Sequence, residues 1–267
     1  GIGPGDEVIT TPWTFFASAE SISMVGATPV FADIRPDTFC IDPESIAKRL
    51  TPKTRAILPV HIFGHAADMD AIMQIARDRK LAVIEDCAQS FGARAGGRVT
   101  GAIGDTGSYS FYPTKVLGGY GDGGMITTNR DDLNEHIRRL RNHGAVRPFV
   151  HTEIGMNSRL DEMQAAVLRA RLPRLPGWTA RRRALEAEGG RGRAMVAHLL
   201  FDAVDRDVAL LRAVRQLVEG FDHEHRQPLE ARPDFNRKHG GIGQKHDPQH
   251  LAITRFDHRA GVMVMVA

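Results

Sequence analysis

Short β-branched runs alternate with amphipathic stretches through the first two thirds of the chain. Period-two and fully apolar runs predict strands at residues 7–10, 28–33, 56–60, 81–86, 107–111 and 124–128. The segments between them read as helices. Met69, Ile72, Met73 and Ala76 recur at helical spacing, Gly26 is placed to stop a helix over residues 14–25, and Asn129 offers a cap for residues 131–141. Ser158 followed by Asp161 resembles a capping arrangement that opens a helix through Gln164, Ala165 and Val167 toward Leu172, where Pro173 and Pro176 are expected to break it. This alternation predicts an α/β fold, a mostly parallel sheet with helices on its faces.

The pattern fades after about Leu185. Residues 181–267 hold 13 Arg, 2 Lys and no Trp or Tyr, a poor composition for a packed domain. Leu199–Val218 has one apolar side and suits one or two amphipathic helices. Beyond Gly220, loops or disorder are expected. The reading divides the chain into a large domain over residues 1–184 and an atypical tail over 185–267.

Charge narrows the partners. Residues 181–267 carry 15 Lys and Arg against 12 Asp and Glu, leaving 20 against 20 before them, so the net excess of +3 sits in the tail. A neutral main body argues against a nucleic-acid groove, which calls for a clustered basic face. No stretch approaches the roughly 20 apolar residues of a membrane helix. Cys40 and Cys87 match no metal or disulfide spacing, and the opening Gly1-Ile2-Gly3-Pro4-Gly5-Asp6 has neither a basic nor an apolar signal region. A cytoplasmic enzyme is the expectation.

Candidate chemistry concentrates in three stretches. Lys115 follows Ser110-Phe111-Tyr112-Pro113-Thr114 just past a strand and precedes Gly118, Gly119, Gly121, Gly123 and Gly124. The glycines suggest close approach of backbone to a flat ligand, and a partly desolvated lysine there suits Schiff-base chemistry. The apolar run Ala82-Val83-Ile84 ends in Glu85-Asp86, and ligands of open α/β sheets gather at the carboxyl ends of strands. Side chains alternate along a strand, so only one of this pair should face a ligand. A carboxylate there can pair with a protonated pyridine nitrogen. Trp13, Phe15 and Phe16 lie at a strand-to-helix turn, where one can stack on a ring while Trp13 and Phe16 equally suit the core. A metal hydrolase built on His61 and His65, with Asp68, Asp70, Asp86 or Asp105, is the rival chemistry. Four-residue spacing aligns two ligands only on a helix, however, and Gly64 interrupts this pair.

Taken together, Thr10-Thr11-Pro12-Trp13-Thr14-Phe15, Val60-His61-Ile62-Phe63-Gly64-His65, Ile84-Glu85-Asp86-Cys87-Ala88-Gln89, Ser110-Phe111-Tyr112-Pro113-Thr114-Lys115 and Gly155-Met156-Asn157-Ser158-Arg159-Leu160-Asp161 resemble the DegT/StrS-type sugar aminotransferases over roughly residues 1–184. The resemblance implies an aspartate-aminotransferase-like, fold type I large domain with a mixed, mostly parallel seven-stranded type of sheet. It also implies pyridoxal phosphate as cofactor, and a homodimer with active sites at the subunit interface. Its roles fall on Lys115 for the internal aldimine and proton transfer, Asp86 for the pyridine nitrogen, and Gln89 for the ring face or phenolic oxygen. Phe15 would stack on the ring, Ser110 would hold the phosphate, and Asn157 would reach the phosphate in the neighbouring subunit. The implied reaction passes an amino group from glutamate to a nucleotide-linked keto sugar. Relatives that replace the lysine by histidine are dehydratases, so Lys115 favours transamination. The helix and Gly-Thr-Ala turn that the family carries ahead of this segment, and its carboxy-terminal substrate motifs, are not recognisable. An incomplete large domain is therefore expected, and a catalytically impaired cofactor-binding remnant is the alternative reading.

Overall fold

In the computed structural model, residues 1–189 and 262–266 are described. Glu7–Thr10 forms β1, Ala17–Met24 α1, Thr28–Phe31 β2, Pro43–Arg49 α2 and Thr54–Ile57 β3. Met69–Arg79 forms α3 and Ala82–Asp86 β4, followed by the short hairpin strands β5 (Arg94–Ala95) and β6 (Arg98–Val99). Then come β7 (Thr106–Ser110), β8 (Gly124–Thr128), α4 (Asp131–Leu140), β9 (Ala145–Arg147), β10 (Val150–His151), α5 (Glu162–Arg171), α6 (Leu175–Gly189) and β11 (Val262–Val266). The seven-stranded sheet has the order β11-β8-β7-β4-β3-β1-β2. β2, β1, β3, β4 and β7 run parallel, while β8 is antiparallel to both β7 and β11. The predicted mostly parallel mixed sheet is therefore present.

Burial explains why these apolar runs form strands. Ile9, Ile57 and Val83 are fully buried at the centre of the sheet, and Ile72 of α3 joins them. Each contributes on the order of 1.5–3 kcal/mol by leaving water. Met69, Ile72 and Ala76 form the inner face of α3 as their spacing predicts, and Asp68 caps the helix by accepting from the Ala71 N–H at 3.1 Å. Gly26, at φ +82°, terminates α1 as expected.

Several expectations are corrected. Asn129 does not cap α4: its amide donates to the Ala102 carbonyl at 3.0 Å, Arg130 occupies the cap position, and Asp131 and Asp132 face the helix dipole instead. Asp161 stands at the N-cap of α5 without a side-chain cap, so the Ser158–Asp161 arrangement is no capping box. Pro173 and Pro176 do not end the helical run. Pro173 sits in a 3-10 turn, Leu172–Arg174, and Pro176 in the first turn of α6, where a missing N–H costs nothing. α2 went unread although Asp42-Pro43 announces it: Asp42 accepts from the Glu44 N–H at 3.1 Å and Pro43 takes the first turn. Tail residues 262–266, expected as loop or disorder, form β11 on the outer edge of β8. The helices expected over 199–218 lie outside the described residues.

Candidate active site

The parallel strands deliver their following loops to one edge of the sheet. β4 and β7 are hydrogen-bonded neighbours, with Asp86 in register with Ser108, so Asp86 and Ser110 arrive at that edge on adjacent strands. The loop over residues 111–123 then turns from β7 back into antiparallel β8, carrying Lys115. Lys115 is half-buried, and its N–H donates to the Tyr112 carbonyl at 2.9 Å.

Glu85 and Asp86 face opposite ways, as alternation requires. Asp86 is half-buried and points toward the start of α1. Its Oδ2 accepts from the Ser18 hydroxyl at 2.7 Å and its Oδ1 from the Ala88 N–H at 3.0 Å. Ser18 Oγ also lies 2.8 Å from Thr14 Oγ1. Ser18 has one hydroxyl proton and gives it to the carboxylate, so Thr14 is the donor in the second bond. Each Asp86 oxygen keeps a lone pair for a further donor, which suits a protonated ring nitrogen.

Glu85 is fully enclosed. It accepts from the N–H groups of Ile103 at 2.8 Å, Gly104 at 2.7 Å and Gly101 at 2.8 Å, and it meets His61 Nε2 at 2.9 Å. Burial alone would push its pKa up, but the His61 bond and the backbone donors outweigh that and hold it below the ordinary glutamate value. The Ala67 N–H donates to His61 Nδ1 at 3.1 Å, which fixes the neutral tautomer with its proton on Nε2, directed at Glu85. His61, Glu85 and Cys87 lie close enough to suggest a metal centre. The imidazole nitrogens and both Glu85 oxygens are already committed, however, and His65 is exposed beyond the Ile62–Gly64 turn. The geometry gives His61 a structural role instead of the His61/His65 metal chemistry.

Gln89 Oε1 accepts from the Phe63 N–H at 2.9 Å. That assigns the amide: its oxygen is committed and its NH2 is left to donate. Phe63 itself sits at φ +55°, a left-handed conformation uncommon for an aromatic residue, beside Gly64 at φ +80°. Ser110 Oγ accepts from the Tyr112 N–H at 3.2 Å and keeps its proton to donate. Phe15, 75% exposed, lies three residues before Ser18, while Trp13 at 48% and Phe16 at 71% exposed are not the core aromatics that were equally allowed. The structure places Asp86 and Ser110 at the ends of β4 and β7, and Gln89 and Lys115 on the loops that follow these strands, at one edge of the sheet. It does not bring Asn157 into that group: Asn157 pairs with Asn142 just past α4.

The glycines after Lys115 also meet the chain's own side chains and backbone. A Cβ on Gly119 would stand 2.6 Å from Gln164 Oε1, one on Gly121 2.8 Å from Gln164 Nε2, and one on Gly123 2.8 Å from Leu160, while Gly118 would meet the Pro113 carbonyl. Gly118 thus faces backbone that cannot give way, while Gly119, Gly121 and Gly123 leave room for the Gln164 and Leu160 side chains. Reading the sequence missed Ser18, Thr14 and Gln164. The only signal for the first two is their four-residue spacing at a helix start.

Known proteins resemble this chain in sequence and in fold. The chain is 55% identical over 183 residues to a pleiotropic regulatory protein of Geobacillus stearothermophilus, covering 68% of this chain and 49% of that one. It is 50% identical over 188 residues to a dTDP-3-amino-3,4,6-trideoxy-alpha-D-glucose transaminase of Streptomyces venezuelae, covering 70% and 50%. A crystal structure of S. venezuelae DesV in complex with a ketimine intermediate superposes with a TM-score of 0.68 at 50% identity, over 70% of this chain and 51% of that chain. The chain thus spans about half the length of the curated relatives it matches. The DegT/DnrJ/EryC1/StrS aminotransferase family model matches residues 1–188, and the chain belongs to that family.

Proposed function

We propose that this chain forms the cofactor-binding part of a pyridoxal phosphate-dependent transaminase that moves an amino group from glutamate to a nucleotide-linked keto sugar. The observation that carries the reading is the convergence of Asp86 and the Lys115 loop from adjacent strands, with Asp86 anchored by Ser18 and Ala88 and still able to accept. The S. venezuelae relative is by name a transaminase for a dTDP-linked amino sugar, which supports the substrate class.

Pyridoxal phosphate, when bound, supplies an electron-withdrawing ring that makes a proton on the amino-bearing carbon removable. Asp86 would hold positive charge at the ring nitrogen, and Lys115 would be both covalent anchor and the group that takes and returns the proton in both half-reactions. Gln89, its oxygen committed to Phe63, offers N–H donors that suit a phenolic oxygen. The Ser110 hydroxyl proton suits a phosphate oxygen, and Phe15 offers an exposed apolar face to a ring.

A homodimer in the cytoplasm completes the reading. Phe149 and Ile154, each 97% exposed, and Met156 at 66% precede Asn157 in the chain, and such bare apolar side chains suit burial against a second copy, which would carry Asn157 toward that copy's phosphate. Cys40 and Cys87 are free thiols, as a reducing compartment expects. Among the described residues, no helix is long and apolar enough to cross a membrane.

Adding pyridoxal phosphate should produce a visible absorption band that borohydride fixes covalently onto Lys115, located by peptide mapping, and glutamate should bleach it. Lys115→Ala should abolish the band. A band of equal strength in Lys115→Ala, or none in the parent chain, refutes the assignment.

A further inference from the structure

The loop over residues 111–123 presents a mechanical problem. Lys115 must be held at a fixed place for proton transfer, yet Gly118, Gly119, Gly121 and Gly123 follow it, and glycine carries the largest backbone entropy to be ordered. The loop is closed at its base, where the Phe111 N–H donates to the Gly123 carbonyl at 2.7 Å and the Gly119 N–H to the Phe111 carbonyl at 2.7 Å. Its tip is held from outside. Gln164 Oε1 accepts from the Tyr120 N–H at 2.8 Å, and Arg171 Nη1 donates to the Gly118 carbonyl at 2.8 Å. Gln164 and Arg171 are seven residues apart on α5 and so share one face, two turns apart. Arg171 is itself steadied over the Trp178 ring, 5.3 Å from its centroid. The half-buried Gln164 amide also occupies the space that side chains at Gly119 and Gly121 would fill.

We propose that α5 is a clamp on the lysine loop and that Gln164 is its positioning residue, fixing the backbone from which Lys115 projects. The proposal rests on the Lys115 assignment above. Gln164 touches neither substrate nor cofactor in this role; it acts through the Tyr120 amide. The clamp explains why the glycines and Gln164 belong together: the amide group needs both the bare backbone to enter the loop and the exposed N–H to hold it.

The test is amide hydrogen exchange on the full chain, paired with the pyridoxal phosphate titration. Gln164→Ala should speed exchange at Tyr120 by about tenfold, the scale of one lost hydrogen bond, while the Asp86 amide, bonded to the Pro59 carbonyl at 2.9 Å, keeps its rate. Cofactor affinity should fall about tenfold with it. Gln164→Glu, which keeps an acceptor oxygen, should restore most of the Tyr120 protection. Gly119→Ala provides a second route: it drives the amide out without removing any polar group, and should reproduce the faster exchange if Gln164→Ala proves too unstable to read. Unchanged exchange at Tyr120 in both variants, or faster exchange with cofactor affinity unaltered, overturns the proposal. A parent chain without any band refutes the Lys115 assignment and the positioning role together. A parent band whose pyridoxal phosphate titration midpoint is unchanged in Gln164→Ala refutes the clamp alone.

Discussion

Glu85 and Asp86 are adjacent acids at the end of one strand, and the fold sends them into opposite regions. Behind β4, Glu85 is sealed by three backbone N–H groups and a histidine, each oxygen occupied. At the open edge, Asp86 has two partners and spare acceptor capacity. The difference separates two uses of a buried or half-buried charge. A carboxylate whose lone pairs are all satisfied by its own chain holds structure together, because nothing further can bind it. One that is anchored but unsaturated is set for an incoming donor.

The sharpest way to break this comparison is Asp86→Asn. The amide keeps an acceptor for Ser18 or Ala88, so stability should fall by no more than about 1 kcal/mol. A neutral amide cannot balance a ring cation, so transamination should fall by at least about 100-fold, the scale of losing one preorganised electrostatic partner. Parallel thermal melts and single-turnover kinetics read both. A variant that unfolds yet retains its turnover per folded molecule would reverse the roles given to the two acids.

Glu85→Gln should do the opposite. The new NH2 faces backbone donors and the His61 Nε2–H, and His61 cannot readily exchange tautomers because Ala67 donates to its other nitrogen. Stability should fall by about 3 kcal/mol, because buried donors that the carboxylate satisfied are left without an acceptor, and cofactor affinity of the folded fraction should change little. The pH profile supplies a second readout. The Glu85 pKa is depressed in the folded state, so its contribution is fully present above the unfolded value of about 4.3 and is lost as pH falls from there through the folded value. Denaturant melts across this acid window should show a steeper loss in the parent chain than in Glu85→Gln.

Much of this arrangement was legible in the sequence. Strand alternation alone assigned Glu85 and Asp86 to opposite faces, and apolar runs located β1, β4, β7 and β8 to within a residue or two. Asp42-Pro43 was legible too and went unread. What the sequence did not disclose was tertiary. The acceptor needs of Gly101, Ile103 and Gly104 become visible only once their loop is folded over Glu85, and nothing in the glycine run announces that Gln164, more than forty residues later, fills it. The glycine run signals a close approach, and one group that approaches it is the Gln164 side chain. Local signals gave elements; partners that meet across long separations set the site.

The smallest expected effect is at Ser18. It is nearly buried near the start of α1, donates to Asp86 Oδ2 and accepts from Thr14. Ser18→Ala removes both bonds with almost no change in volume. Alanine is the better helix former by roughly 0.5 kcal/mol, which offsets part of the lost hydrogen bonding, so thermal stability should stay close to that of the parent. Asp86 loses the bond that orients its carboxylate, and cofactor affinity should weaken about fivefold, equivalent to roughly 1 kcal/mol. That separation of affinity from stability is what a positioning bond at the open face predicts. If instead Ser18→Ala lowers the melting temperature as Glu85→Gln does and leaves cofactor affinity alone, then the Ser18–Asp86 bond belongs with the sealed side of β4, and the contrast between its two faces is not one of structure against chemistry.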